Sequence, residues 1–557
     1  MPPISTVPKN VNMASSSSKI FNWPTGKKVI LYFTNWGVFG RNYQVKNIPT
    51  DFITGINYAF YDLRTNDKGN YVPTSGDTWA DTDQRYISAD KGLEPLDSWN
   101  VENPYYGNFG QLKKLIDSGK NINIGLSVGG WTWSKNFSKA MFTQESRQDF
   151  VDTVISTFKK YGIFNRIDID WEYISPSNVS YGDPGNSSHQ DDAKNFGIFL
   201  KMMREALDSN GMGHYEISAC TTADPKKMDA LPIKEMVRYL DTINIMTYDF
   251  ADGNWGLKRS THQTNMYKTN YTEFSIEESV DKMIALGVPS DKIIVGVAYY
   301  SRGFSNTSGI GQSSSGGSPD MSWEPGIVDY KQLPLPGATE YYDEQAGGAY
   351  SYDPVKKVIN SYDSVRSVEE KCKYIMKRNL KGIIVWEASG DVDINSDRSL
   401  TMAMYRGLSG KSGPPAPLPR PTPAPTPVPV PTVPVPRPTP EPTLPSPPAG
   451  IPLWKESTYY KKGDKVLFEN KVYECINSHT SLTTWKPALV ASLWKLSSSV
   501  VVPTPQPQPQ QPPQPQQPQP QPQQPPSKSC PYLNNKIKTI TISGDIQVED
   551  IKFNIEN

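Results

Sequence analysis

The chain has 557 residues, more than one ordinary domain holds, and it is electrically balanced, with 57 basic and 57 acidic side chains. No long block of one charge occurs, which excludes nucleic acid and an anionic membrane surface as implied partners, and no apolar run is long enough to span a bilayer. The composition is weighted instead toward aromatics, with 13 Trp and 30 Tyr, side chains that stack on sugar rings and also fill cores.

Residues 1–25 read as an N-terminal tail rich in Ser, Pro and Asn, without the apolar segment of a secretory signal. Residues 26–410 read as one large α/β domain. Strand-like apolar runs recur at 29–33, 55–60, 122–128, 166–172, 216–221, 242–248, 292–299 and 382–386. Helical patterns lie among them, for example at 146–161, 193–208 and 367–378. Eight βα units predict a (β/α)8 TIM barrel, whose catalytic residues belong at the C-terminal ends of the strands. The interval from about 301 to 363 is too long for one helix and is rich in Gly, Tyr and short strand-like pieces. It predicts an inserted α+β subdomain that raises one wall beside the barrel mouth.

The fourth run carries the chemistry. In Ile167-Asp168-Ile169-Asp170-Trp171-Glu172-Tyr173, apolar and acidic residues alternate with a period of two. That period sends Asp168, Asp170 and Glu172 to one face, with neighbours about 7 Å apart. Like charges so close push at least one pKa upward, and a carboxyl kept protonated near neutral pH is what a general acid requires. Two other readings of the row stand beside this one. It is a solvated acidic edge, or an Asp-x-Asp cation site made of oxygen ligands alone. No His or Cys lies nearby to support a metal.

Beyond the barrel, residues 411–449 form a Pro-rich linker, on the order of 100 Å long if fully extended. A small unit occupies 450–498, a Pro/Gln-rich linker follows at 499–528, and a tail at 529–557 has no functional reading. The two linkers hold most of the 51 prolines. Cys220, Cys372, Cys475 and Cys530 are scattered, fitting neither a disulfide framework nor a metal-ligand spacing, and the first two read as buried free thiols. Asn-x-Ser/Thr sequons, among them Asn136, Asn178 and Asn306, are glycan acceptors only in a secretory pathway.

Several motifs in register resemble family 18 glycoside hydrolases, the chitinases. Asp168-Ile-Asp170-Trp-Glu172-Tyr looks like that family's active-site signature. Ser127-Val-Gly129-Gly130-Trp131, Met246-Thr-Tyr248-Asp249, Tyr300-Ser-Arg302-Gly303 and Trp386-Glu387 follow the family's order. The run beginning Trp323-Glu324-Pro325-Gly326 resembles the insertion-bearing, bacterial-type branch. One departure is plain: Asn165 and Arg166 stand where the signature usually begins Asp-Gly. Asn165 faces away from the carboxylate row by parity, so the change is expected to alter supporting contacts or pH dependence rather than abolish chemistry.

The resemblance implies a retaining, substrate-assisted mechanism in which the sugar's own N-acetyl oxygen attacks the anomeric carbon. Glu172 is then general acid and base, Asp170 holds the acetamido N–H, Asp168 shares a proton or hydrogen bond with Asp170, and Tyr248 orients the acetamido carbonyl. Asp249 and Arg302 are implied to grip the sugar, with an ion pair from Arg302 to Glu324 as the alternative. Trp386 is implied as the floor under the distorted ring, and Met246, Trp131, Gly130, Tyr32 and Phe60 as further substrate-binding residues. Trp36, Trp133 and Trp255 join Trp131 as candidates for outer sugar sites or for packing.

The small unit resembles a type-3 chitin-binding domain, an all-β module of short strands. His479 and Trp485 are its implied surface contacts, with Tyr473 also in the binding set, while Trp454 and Trp494 more often close such a core. The implied partners are chitin or chito-oligosaccharides, with no nucleic acid, membrane, metal or cofactor, for an extracellular monomer. Two rival functions are a chitin-binding lectin without activity and an endo-N-acetylglucosaminidase acting on other glycans.

Overall fold

The computed structural model describes residues 20–98, 106–176 and 179–411, and in the C-terminal module 451–455, 458–468, 471–477, 479–481, 486–487 and 493–497. The expected linkers and C-terminal tail, with Asn178, Trp485, Cys530 and the side chain of His479, lie outside the described residues.

Eight parallel strands close on themselves. They are β1 (Lys28–Thr34), β2 (Gly55–Thr65), β4 (Asn123–Gly129), β5 (Arg166–Asp170), β6 (Glu216–Thr221), β7 (Thr242–Ile245), β8 (Ile293–Ala298) and β14 (Gly382–Trp386). Hydrogen bonding runs β1-β14-β8-β7-β6-β5-β4-β2, and β2 pairs back onto β1 with Ile30 opposite Gly55. An antiparallel β3 (Tyr71–Ser75) extends β2 as a hairpin. These strands are near-continuous apolar runs because both faces are covered: β1, Lys-Val-Ile-Leu-Tyr-Phe-Thr, is buried throughout.

The helices are α1 (Gly107–Asp117), α2 (Phe137–Phe142), α3 (Gln144–Tyr161), α4 (Asp192–Ser209), α5 (Ile233–Tyr239), α6 (Ile276–Ala285), α7 (Val365–Arg378) and α8 (Leu400–Leu408). Their ends are specified locally. Thr143 accepts from the Ser146 N–H to start α3, and Gly162 ends it in the left-handed region at φ 62°. Between them, Phe150, Val151, Val154, Ile155 and Phe158 face the sheet.

Between β8 and α7 the chain makes a five-stranded antiparallel sheet. It comprises β9 (Tyr300–Phe304), β10 (Ile327–Asp329), β11 (Thr339–Asp343), β12 (Gly348–Asp353) and β13 (Val358–Tyr362), in the order β10-β9-β13-β12-β11. α7 buttresses it, with Tyr342 donating to Glu370 at 2.6 Å. In the C-terminal module, β15 (Tyr459–Tyr460) pairs β18 (His479–Thr480), while β16 (Lys465–Phe468), β17 (Lys471–Cys475) and β19 (Trp494–Leu496) form a second sheet. Tyr460, Val466, Tyr473, Cys475 and Trp494 make its small core. Among the described residues, no helix is long and apolar enough to cross a membrane.

The floor of the barrel explains Arg166. Its guanidinium donates to Glu216 Oε2 at 3.0 and 2.9 Å and to Asn57 Oδ1 at 2.9 Å, and Lys28 bonds the same glutamate. Gly55 on β2 and Gly125 on β4 leave the room, since a Cβ at Gly55 would lie 3.3 Å from the guanidinium and one at Gly125 3.3 Å from Arg166 Cδ. Burial alone would raise the Glu216 pKa, but Arg166 and Lys28 overcome it and hold the carboxyl at about 2. Asn165 bonds Ile124 N and Asn123 at the base of β4. That is about 17 Å along the strand from Asp170, so Asn165 supports the barrel floor and touches none of the three carboxylates.

Candidate active site

Parity along β5 points Arg166, Asp168 and Asp170 into the barrel. The strand ends at Asp170, opposite Gly129 of β4, two residues earlier than the alternating pattern indicates. Past that point Glu172 is held by loops. Its N–H donates to Ser134 Oγ at 2.8 Å, and its carbonyl accepts from Asn186 Nδ2 at 2.8 Å. Alternation alone does not reveal where sheet pairing yields to loop contacts.

Asp168 sits on the barrel axis with both oxygens occupied. Oδ2 accepts from Tyr32 OH at 2.7 Å and Ser127 Oγ at 2.8 Å, and Oδ1 from Ser218 Oγ at 2.5 Å and Asn244 Nδ2 at 3.2 Å. Each donor comes from the inward face of a different strand: β1, β4, β6 and β7. Asp170 is buried too, yet its Oδ1 has no protein partner among the described residues. Burial, and then the charges of Glu172 and Asp168, push the Asp170 carboxyl well up. Burial likewise raises Glu172 from an ordinary 4.5 to about 8. Asp170 thus meets the expectation that close like charges push at least one carboxyl upward, with burial the larger cause, and Glu172 is raised by burial.

Aromatic rings line the mouth. Trp386, at the end of β14, stacks on Phe60 at 5.5 Å and 19°, and lies 5.6 Å from Tyr32 and 6.3 Å from Trp36. Gly130 is required here, because its φ is 89° and a Cβ would meet the Phe60 ring at 2.6 Å. Met246 and Tyr248 belong to the same apolar cluster, and Tyr248 sets its edge against Tyr300 at 6.3 Å. Trp36 and Trp133 pack against this cluster, whereas Trp131 and Trp255 are 48% and 55% exposed.

On the rim, Asp249 adopts the left-handed region at φ 57°. Its Oδ1 accepts from Tyr300 OH and Arg302 Nε, both at 2.7 Å, and Arg302 reaches Asp252 at 2.8 Å. The Arg302 partners are therefore Asp249 and Asp252, not Glu324. Burial works against the charged guanidinium, but Asp249 outweighs it and the group is held cationic.

The structure brings Glu172, Asp170, Asp168, Tyr248, Met246, Trp386, Gly130, Tyr32 and Phe60 to one mouth, with Asp249, Arg302 and Trp131 at its edge. Trp494 and Tyr473 are buried in the core of the separate module, and Trp454 packs on that core. Sequence reasoning missed Ser218 and Asn244, which even-numbered parity on β6 and β7 would have flagged. It also missed Tyr300 as a partner of Asp249, although the residue was visible in the Tyr-x-Arg element. Asn186 lies in a loop and carried no signal of its role at Glu172. Cys220 Sγ, 2.9 Å from Tyr32 OH, is likewise part of the floor.

Comparisons with known proteins agree with this geometry. The family described as Glycosyl hydrolases family 18 matches residues 28–391, and Carbohydrate-binding module family 5/12 matches residues 453–495. Endochitinase 1 of Metarhizium robertsii is 38% identical over 371 residues, covering 65% of this chain and 81% of that protein. Chitinase 1 of Aphanocladium album is 36% identical over 405 residues, 71% of this chain and 88% of its own length. The catalytic domain of the psychrophilic chitinase B from Arthrobacter TAD20 superposes with a TM-score of 0.63 at 30% identity, covering 70% of this chain and 97% of that one.

Proposed function

The chain belongs to glycosyl hydrolase family 18, and from that premise we propose how its residues act on chitin, the polymer it hydrolyses between N-acetylglucosamine units. The observation that carries the reading is the placement of Glu172, buried just past the end of β5 and following Asp168 and Asp170 into the barrel mouth, where burial pushes its carboxyl up to about 8. Glu172 protonates the glycosidic oxygen, and the substrate's acetamido oxygen attacks the anomeric carbon from the other side. Asp170, whose Oδ1 has no protein partner, accepts the acetamido N–H and stabilises the positive oxazolinium intermediate. Asp168 shares a proton or hydrogen bond with Asp170, which lets Asp170 carry negative charge as the intermediate forms, and Tyr248 donates to the acetamido oxygen to keep it in attack position. Glu172, now a carboxylate, then takes a proton from the water that opens the intermediate.

Trp386 and Phe60 supply the apolar floor, Tyr32, Met246 and Gly130 shape it, and Asp249, Arg302 and Trp131 hold sugars on either side. The accessory unit is a carbohydrate-binding module. We assign it to the type-3 chitin-binding class, with His479 and Trp485 as contacts to the polymer surface. The protein acts as an extracellular monomer on chitin or chito-oligosaccharides.

A panel of four glycans tests the reading. Hexameric N-acetylglucosamine should be cleaved and its fully deacetylated counterpart left intact, because the latter lacks the attacking oxygen. Cleavage of the deacetylated hexamer would refute substrate assistance. Preferential cleavage of N-glycan cores or peptidoglycan would move the activity to an endo-N-acetylglucosaminidase.

A further inference from the structure

The residues proposed to grip the acetamido sugar lie on the loop after β7 and on β9, where Asp249 bonds Tyr300 and Arg302 side chain to side chain, and a second link joins the two main chains. Tyr248 and Asp249 follow β7, while Tyr300 and Arg302 are on β9. One fully buried side chain spans them. The Asp249 N–H donates to Gln263 Oε1 at 3.1 Å, and Gln263 Nε2 donates to the Tyr300 carbonyl at 2.9 Å. The main chain of Gln263 is pinned as well: its carbonyl accepts from Phe250 N at 3.0 Å, and its N–H donates to Ser361 Oγ of β13 at 3.0 Å. Next to it, Thr264 Oγ1 donates to the Thr247 carbonyl at 2.8 Å.

We infer that Gln263 is a positioning residue for this reaction, its side-chain amide setting the separation between the Tyr248–Asp249 wall and the Tyr300–Arg302 wall of the sugar site. The requirement is steric and polar at once. Asp249 adopts the left-handed region at φ 57°, uncommon outside glycine though accessible to Asp, and its N–H is the donor that Gln263 satisfies. Without the amide, the part-buried Asp249 N–H and the buried Tyr300 carbonyl both lose these partners. Tyr248 precedes Asp249 directly, so relaxation there shifts the phenol that orients the acetamido oxygen. The exposed Trp131, proposed to hold an outer sugar, is not among the groups that Gln263 bonds.

The inference rests on the substrate-assisted reading and is tested with the full-length chain. Gln263→Met keeps the length and removes both amide bonds. It should lower kcat by about 10- to 100-fold on chitin hexasaccharide, the scale of a misplacement near 1 Å, with KM changed less than about threefold. Affinity for an N-acetylglucosamine thiazoline, which mimics the oxazolinium intermediate, should fall about tenfold or more. Gln263→Glu, when protonated, offers one O–H donor and one acceptor to the same partners. It should therefore recover activity at pH 5 and lose it as pH rises, relative to wild type. A merely structural role would scale kcat with the folded fraction measured by thermal melting and leave thiazoline affinity unchanged. That outcome, or a folded Gln263→Met variant with wild-type kcat, overturns the inference. If Gln263→Met does not fold, the protonation-dependent rescue of Gln263→Glu decides alone. Wild-type protein that ignores thiazoline overturns the substrate-assisted reading instead, and the inference falls with it.

Discussion

At the level of single residues, catalysis by the proposed mechanism depends on where one proton resides. Burial disfavours the charged form of Glu172 and pushes its pKa up to about 8, so kcat/KM is expected to decline as pH rises through that value. The same shift affects stability. A carboxyl whose folded pKa lies above its unfolded 4.5 contributes fully below 4.5 and loses that contribution as pH climbs toward 8. Glu172→Gln removes the loss. Its Tm should exceed that of wild type at pH 9 and match it near pH 4, and a difference independent of pH would show that Glu172 is not strained by burial. The loop over Glu172 is equally constrained. A Cβ on Gly182 would lie 2.0 Å from the Glu172 carbonyl oxygen, so Gly182→Ala must displace that loop or the acid itself. Activity should fall at least tenfold, read by initial rates on a soluble oligosaccharide. The carboxylate row and its parity were legible in the sequence, because alternation is a local property. The donors on Asp168 and the Asn186 contact were not, since they join residues 41 to 136 positions apart and one loop 14 residues on.

At the scale of elements, the eight barrel strands were visible because each is buried on both faces and reads as an unbroken apolar run. Strand ends were less visible. β5 stops at Asp170 because its pairing with β4 stops at Gly129, a fact about the neighbour rather than about β5 itself. The sheet inserted after β8 is joined to the barrel by a buried ion pair, Lys371 Nζ to Asp363 Oδ2 at 2.7 Å, with Asp363 also accepting from Ala298 N at 3.1 Å. Removing one partner strands the other charge inside the protein. Asp363→Ala should therefore cost about 3–5 kcal/mol in urea unfolding, whereas an exposed pair such as Arg366–Glu344 should cost about 1 kcal/mol or less.

For the whole molecule, a hydrolytic barrel and a carbohydrate-binding module are separated in sequence by a Pro-rich segment. Tethering of this kind raises the local concentration of enzyme at a polymer without altering chemistry at the site. Ending the chain after residue 411 should leave turnover of soluble hexasaccharide within about twofold of wild type, while adsorption to insoluble chitin and its degradation fall about tenfold or more. Equal loss on both substrates would mean that the module supports the barrel rather than the encounter with the polymer. The family motifs made this division of labour legible in outline, because they are short and contiguous. Arg166 was not interpretable that way, since its role depends on Gly55, Gly125 and Glu216 meeting beneath the barrel mouth.

Substrate-assisted hydrolysis with Glu172 as acid and base makes a definite prediction for anomer-resolved product analysis of chitin hexasaccharide. Wild-type protein should release short oligomers initially as the β-anomer, and Glu172→Gln should bind the oligosaccharide while cleaving it about 1,000-fold more slowly or not at all. Initial release of the α-anomer would rule out retention, and undiminished cleavage by Glu172→Gln would rule out Glu172 as the acid.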